Sequence, residues 1–281
     1  MRYLLPVSLV AALALISQSA AIAAAELKVE VRLTGIESET LRQTTRNLSD
    51  LSVKNTSYTA TTQIRRTAQT DADRMQAYLQ SQGYYAAQVE PRIRRTGLTV
   101  DVIFSIELGP AFTVDNYTIQ YLDSQTDPRP QDFDVLGGAD KSAPTGEYLS
   151  TLGTEFIAHL WDNGYPSASL TRQVVEANFG KATATAVYQI ETGPKAQYGN
   201  IRFDGNQRTH DDFLKKYFVP SAGETYSRQD VDKFRARLAS TGLFSEISIQ
   251  PAAPSQDGTT DLLVNLEERK HRTVAIGLSF A

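Results

Sequence analysis

Residues 228–244 read RQDVDKFRARLASTGLF, a helix, its stop and the start of a strand in one run. Val231, Phe234 and Leu238 recur at helical spacing, so one face of a helix is buried. Gly242 follows at the point where a helix has to stop. A glycine there takes the left-handed conformation that a side chain resists, and Leu243-Phe244 then turn the chain into a strand. Ser227 and Asp230 mark the start: the hydroxyl is expected to accept from a free backbone amide, and the acid answers the positive helix end.

The same sentence is written twice more upstream. Ile64, Ala68, Ala72, Met75 and Leu79 lead to Gly83-Tyr84-Tyr85, and Leu149, Leu152, Phe156 and Leu160 lead to Gly164-Tyr165-Pro166. The three stops stand about 80 residues apart, a domain-scale period rather than that of a solenoid. Each is followed by two strand-like runs. The second alternates most clearly: Leu98, Val100, Val102, Phe104 and Ile106; then Ala184, Ala186, Tyr188 and Ile190; then Leu262, Val264 and Leu266. Period two predicts one face against helices and one more polar. An acid closes every copy, Glu107, Glu191 and Glu267, and its recurrence points to a shared turn or a solvated edge. Leu108-Gly109-Pro110 and Thr192-Gly193-Pro194 are turn or linker signals.

A strand also opens each copy: Leu27, Val29, Val31 and Leu33; the less regular 112–121; and 198–204, which ends in Gly205-Asn206. The unit reads strand, helix, helix, strand, strand, an α+β module. The middle copy departs from it, with Pro128, Pro130, Gly137, Gly138 and Pro144 where a first helix belongs, and 122–146 is expected to be mostly loop.

Composition narrows the function classes. Against 32 acidic residues stand 28 basic ones, a net charge of -4, without the basic excess that nucleic-acid binding usually requires. No cysteine is present, which excludes disulfides, thiolate metal ligands and thiol catalysis, and suits passage through an oxidising compartment. Arg2, the apolar run 4–16 and Ala23-Ala24-Ala25 read as a cleaved signal peptide over 1–25; the apolar run is shorter than the roughly 20 residues of a spanning helix. After Glu268 come Arg269, Lys270, His271 and Arg272, and then Val274, Ile276, Leu278 and Phe280 alternate with small residues. That pattern fits a strand of a membrane barrel, and from the pattern alone an ordinary edge strand fits as well.

The stretch 201–206 (IRFDGN), Phe213-Leu214, Tyr226-Ser227, the helix through Leu238, Gly242-Leu243-Phe244 and the strand 262–266 resemble a POTRA domain, the polypeptide-transport-associated module. Gly83-Tyr84-Tyr85 and Glu107-Leu108-Gly109-Pro110 carry the likeness in the first copy. The organisation is then a signal peptide at 1–25, three tandem β-α-α-β-β modules at 26–109, 110–193 and 194–270, and at 271–281 the first strand of a barrel that the chain does not complete. The count of three is similar to the TamA group of the BamA/TamA superfamily. BamA-like arms typically carry five modules and two-partner-secretion arms two; a soluble periplasmic POTRA-type scaffold is the other reading.

This resemblance implies a periplasmic arm at the outer membrane of a Gram-negative bacterium. It would receive autotransporter or outer-membrane polypeptides and couple to a TamB-like partner anchored in the inner membrane. It also implies that the strand after the glycine lies at the sheet edge, where an extended segment can complete the ladder. The candidate edges are 87–94, 167–175 and 244–250, with Ala87, Val89, Ile93, Ser167, Leu170, Val174, Phe244, Ile247 and Ile249 as candidate partner-binding residues.

No catalytic reading competes. The histidines are His159, His210 and His271, none in metal-site spacing, and His210-Asp211-Asp212 reads as a helix start. Nucleotide-binding glycine motifs and G-x-S-x-G are absent. Trp161, Tyr84 and Tyr85 read as core or hinge aromatics. No cofactor, metal or enzymatic activity is expected.

Overall fold

The computed structural model describes residues 25–54, 56–142, 145–255 and 257–270. Both the leader expected at 1–25, apart from Ala25, and the barrel strand expected at Val274, Ile276, Leu278 and Phe280 lie outside the described residues. Among those described, no helix is long and apolar enough to cross a membrane. The chain divides into two compact units. One holds the described residues up to Arg74 with Val89–Ser105, and the other Met75–Gln88 with Ile106 onward.

Among the described residues, three sheets of three strands follow one another, each with its last strand in the middle. The first contains β1 (Lys28–Thr34), β2 (Gln88–Thr96) and β3 (Thr99–Glu107), in the order β1-β3-β2. The second contains β4 (Thr113–Tyr121), β5 (Ser169–Asn178) and β6 (Thr183–Glu191), ordered β4-β6-β5. The third contains β7 (Gln197–Asp204), β8 (Phe244–Pro251) and β9 (Thr259–Glu268), ordered β7-β9-β8. In each sheet the opening strand runs parallel to the central one, as Lys28 beside Thr99, Tyr121 beside Ile190 and Ile201 beside Leu262 show. The α+β repeat is therefore present three times.

The helical expectations account for the cores. On α3 (Thr61–Ser81), Ile64, Ala68, Ala72, Met75 and Leu79 are buried, as are Val100, Val102 and Phe104 of β3. Leu149, Leu152, Phe156 and Leu160 of α4 (Gly146–Asp162) join Ala186, Tyr188 and Ile190 in one core. Val231, Phe234 and Leu238 of α6 (Arg228–Ser240) join Leu262, Val264 and Leu266 in another. Gly83, Gly164 and Gly242 have φ of 90°, 97° and 68°, the left-handed turn that lets each helix end and a strand begin. Gly205 closes β7 at φ 86°, where an added Cβ would collide with the carbonyl of Leu266. The first sheet adds α1 (Glu39–Asn47) and α2 (Asp50–Val53), and the third adds α5 (Asp211–Lys215), whose first turn carries Asp211 and Asp212 after the cap His210.

Two expectations need correction. Leu98 is not an inward strand residue: it sits in the turn between β2 and β3 and is 54% exposed, so the inward row of β3 begins at Val100. Ser227 occupies the cap position of α6, but its side chain accepts no bond from the helix. Its hydroxyl donates instead to Asp162 Oδ1 at 3.1 Å, and that carboxylate accepts the Gln229 N–H at 2.8 Å. The cap of α6 thus comes from the far end of α4.

Among the described residues the middle module shows no α-helix between β4 and α4, in keeping with its prolines and glycines. A single 3-10 turn, Asp134–Leu136, takes that place, and the residue before it does the packing. Phe133 is 3% exposed, with its ring 4.9 Å from that of Phe156 and 5.0 Å from that of Tyr188. The loop is anchored by Arg129, which pairs with Asp123, lies 4.1 Å over the Tyr121 ring and donates to Thr192 Oγ1 at 3.1 Å. Asp123 in turn accepts the N–H groups of Thr192 and Gly193 at 2.6 and 2.9 Å. Burial pushes the Asp123 carboxyl up, but the Arg129 pair and the two amides outweigh it and hold the group below its ordinary value.

Candidate partner-binding edges

In all three sheets the strand after the glycine lies at an edge, so that among the described residues no strand stands opposite its outer row of backbone N–H and C=O groups. Which residues carry that row follows from the neighbouring hydrogen bonds. In the middle sheet Leu122 N donates to Ile190 O, so Ile190 and its even-numbered neighbours on β6 face β4, and the odd-numbered ones face β5. On β5 the ladder partners are then Arg172 with Gln189, Val174 with Val187 and Glu176 with Thr185. The backbone groups of Gln173, Val175 and Ala177 point away from the sheet.

The third sheet follows the same parity. Ala252 N donates to Asp261 O at 2.8 Å, which sets Ser248 and Gln250 toward Asn265 and Leu263. Ile247, Ile249 and Pro251 face outward. Two independent features agree: a proline in a strand needs its nitrogen away from the ladder, and the Ile249 carbonyl is approached at 3.4 Å by Arg235 Nη2 from α6. The Nε of Arg235 is buried with no hydrogen-bond partner among the described residues.

On β2 the proline rule places Pro91, and with it Ile93 and Arg95, on the outward side. This edge is blunted twice over. Pro91 supplies no donor, and β2 carries Arg92, Arg94 and Arg95 against Glu90, with Arg92 no nearer than 4.0 Å to that acid. Proline and clustered charge are the common devices that keep an edge from pairing indiscriminately. By contrast β5 has no proline, and on β8 Pro251 ends the strand.

The candidate residues divide by what they present. Ala87 and Ser167 precede β2 and β5. Ala87, Val89, Phe244 and Ile249 are buried, and Ile93, Leu170, Val174 and Ile247 are half-buried. Ile93, Ile247 and Ile249 turn their side chains into the helix-facing layer and their amides outward, so what they offer a partner is backbone, less the Ile249 carbonyl that Arg235 already approaches. Val174 does the reverse, with its amide in the ladder and its side chain on the open face beside Val187. Leu170 and Phe244 lie at bulges, where the register shifts.

Beyond the edges, the end of β9 is tied down by Glu268. It accepts from Arg208 Nε at 2.8 Å and from the N–H and hydroxyl of Thr209 at 2.9 and 2.8 Å, and its side chain is 8% exposed. The Arg208 guanidinium first, with the Thr209 and backbone donors, holds its carboxyl far down, at about 2. A cavity of 370 Å³ beside it is lined by Arg208, Gly242, Leu243 and Arg269 among others. Glu107, Glu191 and Glu267 are all exposed. Among the described residues no group of three or more His, Asp or Glu is placed to hold a metal ion.

Residues 196–269, the span of the third module, match the POTRA family model (surface antigen variable number repeat). Several solved structures are similar to the chain. POTRA3-5 of BamA from Haemophilus influenzae is 18% identical, over 87% of this chain and 96% of that one, with a TM-score of 0.47. POTRA1-3 of the periplasmic domain of Omp85 from Anabaena is 19% identical over 87% and 96%, with a TM-score of 0.39. BamA from Haemophilus ducreyi lacking POTRA domains 1-3 is 21% identical over 56% of this chain and 30% of that chain, with a TM-score of 0.46.

Proposed function

We propose that this chain is the periplasmic arm of an outer-membrane assembly or secretion factor of the BamA/Omp85 superfamily, and within it a TamA-like factor. The observation that carries this is the POTRA match at 196–269 together with the two earlier sheets of the same strand order. Module boundaries at Gly109-Pro110 and Gly193-Pro194, a leader over 1–25 and a barrel strand beginning at 271–281 belong to the same reading.

The arm does no chemistry. It holds an unfolded outer-membrane or autotransporter polypeptide by adding one of its strands to an open sheet edge, so that backbone groups supply affinity and little sequence match is needed. Each added hydrogen bond is worth about 1 kcal/mol net, which makes a short stretch weak and reversible, as a handover step requires. A TamB-like protein is the partner on the inner-membrane side.

Photo-crosslinking residues placed at Gln173 and at Ser245, in cells that make an autotransporter, test this. Adducts with the autotransporter or with a TamB-like protein are expected at one edge or both. Absence of adducts with either at both edges, in a folded and exported protein, contradicts the reading.

A further inference from the structure

The open face of β5 carries Arg172, Val174 and Glu176 in succession, and this order is its own complement. Turn a second β5 through a two-fold axis at Val174 and lay it antiparallel along the first. Arg172 then stands opposite Glu176 of the second copy, Val174 opposite Val174, and Glu176 opposite Arg172. The backbone agrees with this register, because Gln173 and Val175 are the residues whose N–H and C=O groups point outward. They would meet as a hydrogen-bonded pair, and the Val174 residues as the closer pair of the antiparallel ladder.

We propose that this edge is a homodimer interface, with two copies of the chain joined through β5 into one continuous six-stranded sheet. Three observations carry it. Arg172 and Glu176 are both exposed, and neither makes an ion pair among the described residues, so both charges are available across the edge. Val174 sits beside Val187, which is 7% exposed, so pairing extends a short apolar row through the axis instead of burying it against polar groups. The other two edges lack the property: β2 is interrupted by Pro91 and crowded with arginine, and β8 ends at Pro251 with Arg235 lying on its Ile249 carbonyl. Shifting the register by one pair sets Arg172 against Val174 and loses both ion pairs. An isologous contact of this kind closes at two copies and does not propagate.

This stands apart from the reading above, since it needs neither a client nor a membrane partner. A client strand would compete for the same edge, so dimerisation would hold the edge covered until a client displaces the second copy.

Because the chain has no cysteine, Val174→Cys introduces a single thiol. At a closer-pair position the Cα atoms approach to about 4.5 Å, within disulfide reach. On the full chain, Val174→Cys is expected to form a disulfide dimer under mild oxidation far faster than Ser245→Cys, an exposed position on β8. Sedimentation should show a concentration-dependent dimer of the unsubstituted chain. Arg172→Glu and Glu176→Arg should each weaken it roughly tenfold by setting like charges together, and the double substitution should restore it. The proposal is overturned if the chain sediments as a monomer throughout, if the two cysteine variants cross-link equally, or if the double substitution fails to rescue the single ones. Circular dichroism of each variant separates loss of pairing from loss of fold.

Discussion

Asp162 Oδ1 accepts the backbone N–H of Gln229 at 2.8 Å, so the last residue of one helix caps the first turn of another 67 positions on. The contact is reinforced by Arg228, whose guanidinium lies 5.2 Å from the centre of the Trp161 ring, and by the Ala196 N–H on the Gly164 carbonyl at 2.7 Å. Asp162→Ala should therefore destabilise α6 by about 1 kcal/mol, the usual cost of a lost cap. Ser227→Ala should cost less, because that hydroxyl donates to the same carboxylate and accepts nothing from the helix. Urea unfolding of the two variants measures the difference.

Phe133 should be the residue on which the middle module depends most among its loop positions. Its ring packs on Phe156 and Tyr188 inside the core of that module, and Phe133→Ala should cost about 3–5 kcal/mol, typical of a large aromatic removed from a core. Phe179, 65% exposed at the tip between β5 and β6 with its ring edge-on to Phe112 at 5.7 Å, is the contrast, and Phe179→Ala should cost much less than Phe133→Ala. Thermal melts of both variants decide it.

Glu268 sets a pH dependence. Its folded carboxyl titrates at about 2, below the 4.5 of an unpaired glutamate, so the ionised form is favoured by folding. Its contribution is complete above roughly pH 4.5 and is lost as pH falls toward about 2. The stability gap between the unsubstituted chain and Glu268→Gln should accordingly be constant near neutrality and narrow below roughly pH 4.5. A gap that stays the same down to pH 2.5 would show that the Arg208 and Thr209 contacts are not what lowers the group.

The repeated elements were legible because local rules specify them. A buried stripe ending in glycine and a strand alternating in twos predict the same answer from propensity, pattern and turn chemistry together, as in Val231, Phe234, Leu238 and Gly242. What escaped prediction depends on residues distant in sequence. Ser227 looked like a cap because nothing in 227–230 reveals that Asp162 reaches its helix first. Phe133 looked like one loop residue among prolines, and only the missing helix around it hinted that something must fill the core. Leu98 continued the apolar alternation, yet the turn at Gly97 claimed it. On the edges, the side-chain pattern located the strands but not the direction of their amides, which the bonds Leu122–Ile190 and Ala252–Asp261 fix.

If the chain holds extended polypeptide by adding a strand to an outward backbone row, as proposed above, the effect of an introduced proline must follow strand parity. Proline at Val175 or Ile247, where the amide faces outward, should leave the circular dichroism spectrum intact and abolish crosslinks to client strands. Proline at Val174 or Ser248, where the amide belongs to the ladder, should unfold the module instead. Client crosslinking that survives proline at both Val175 and Ile247 would contradict the account.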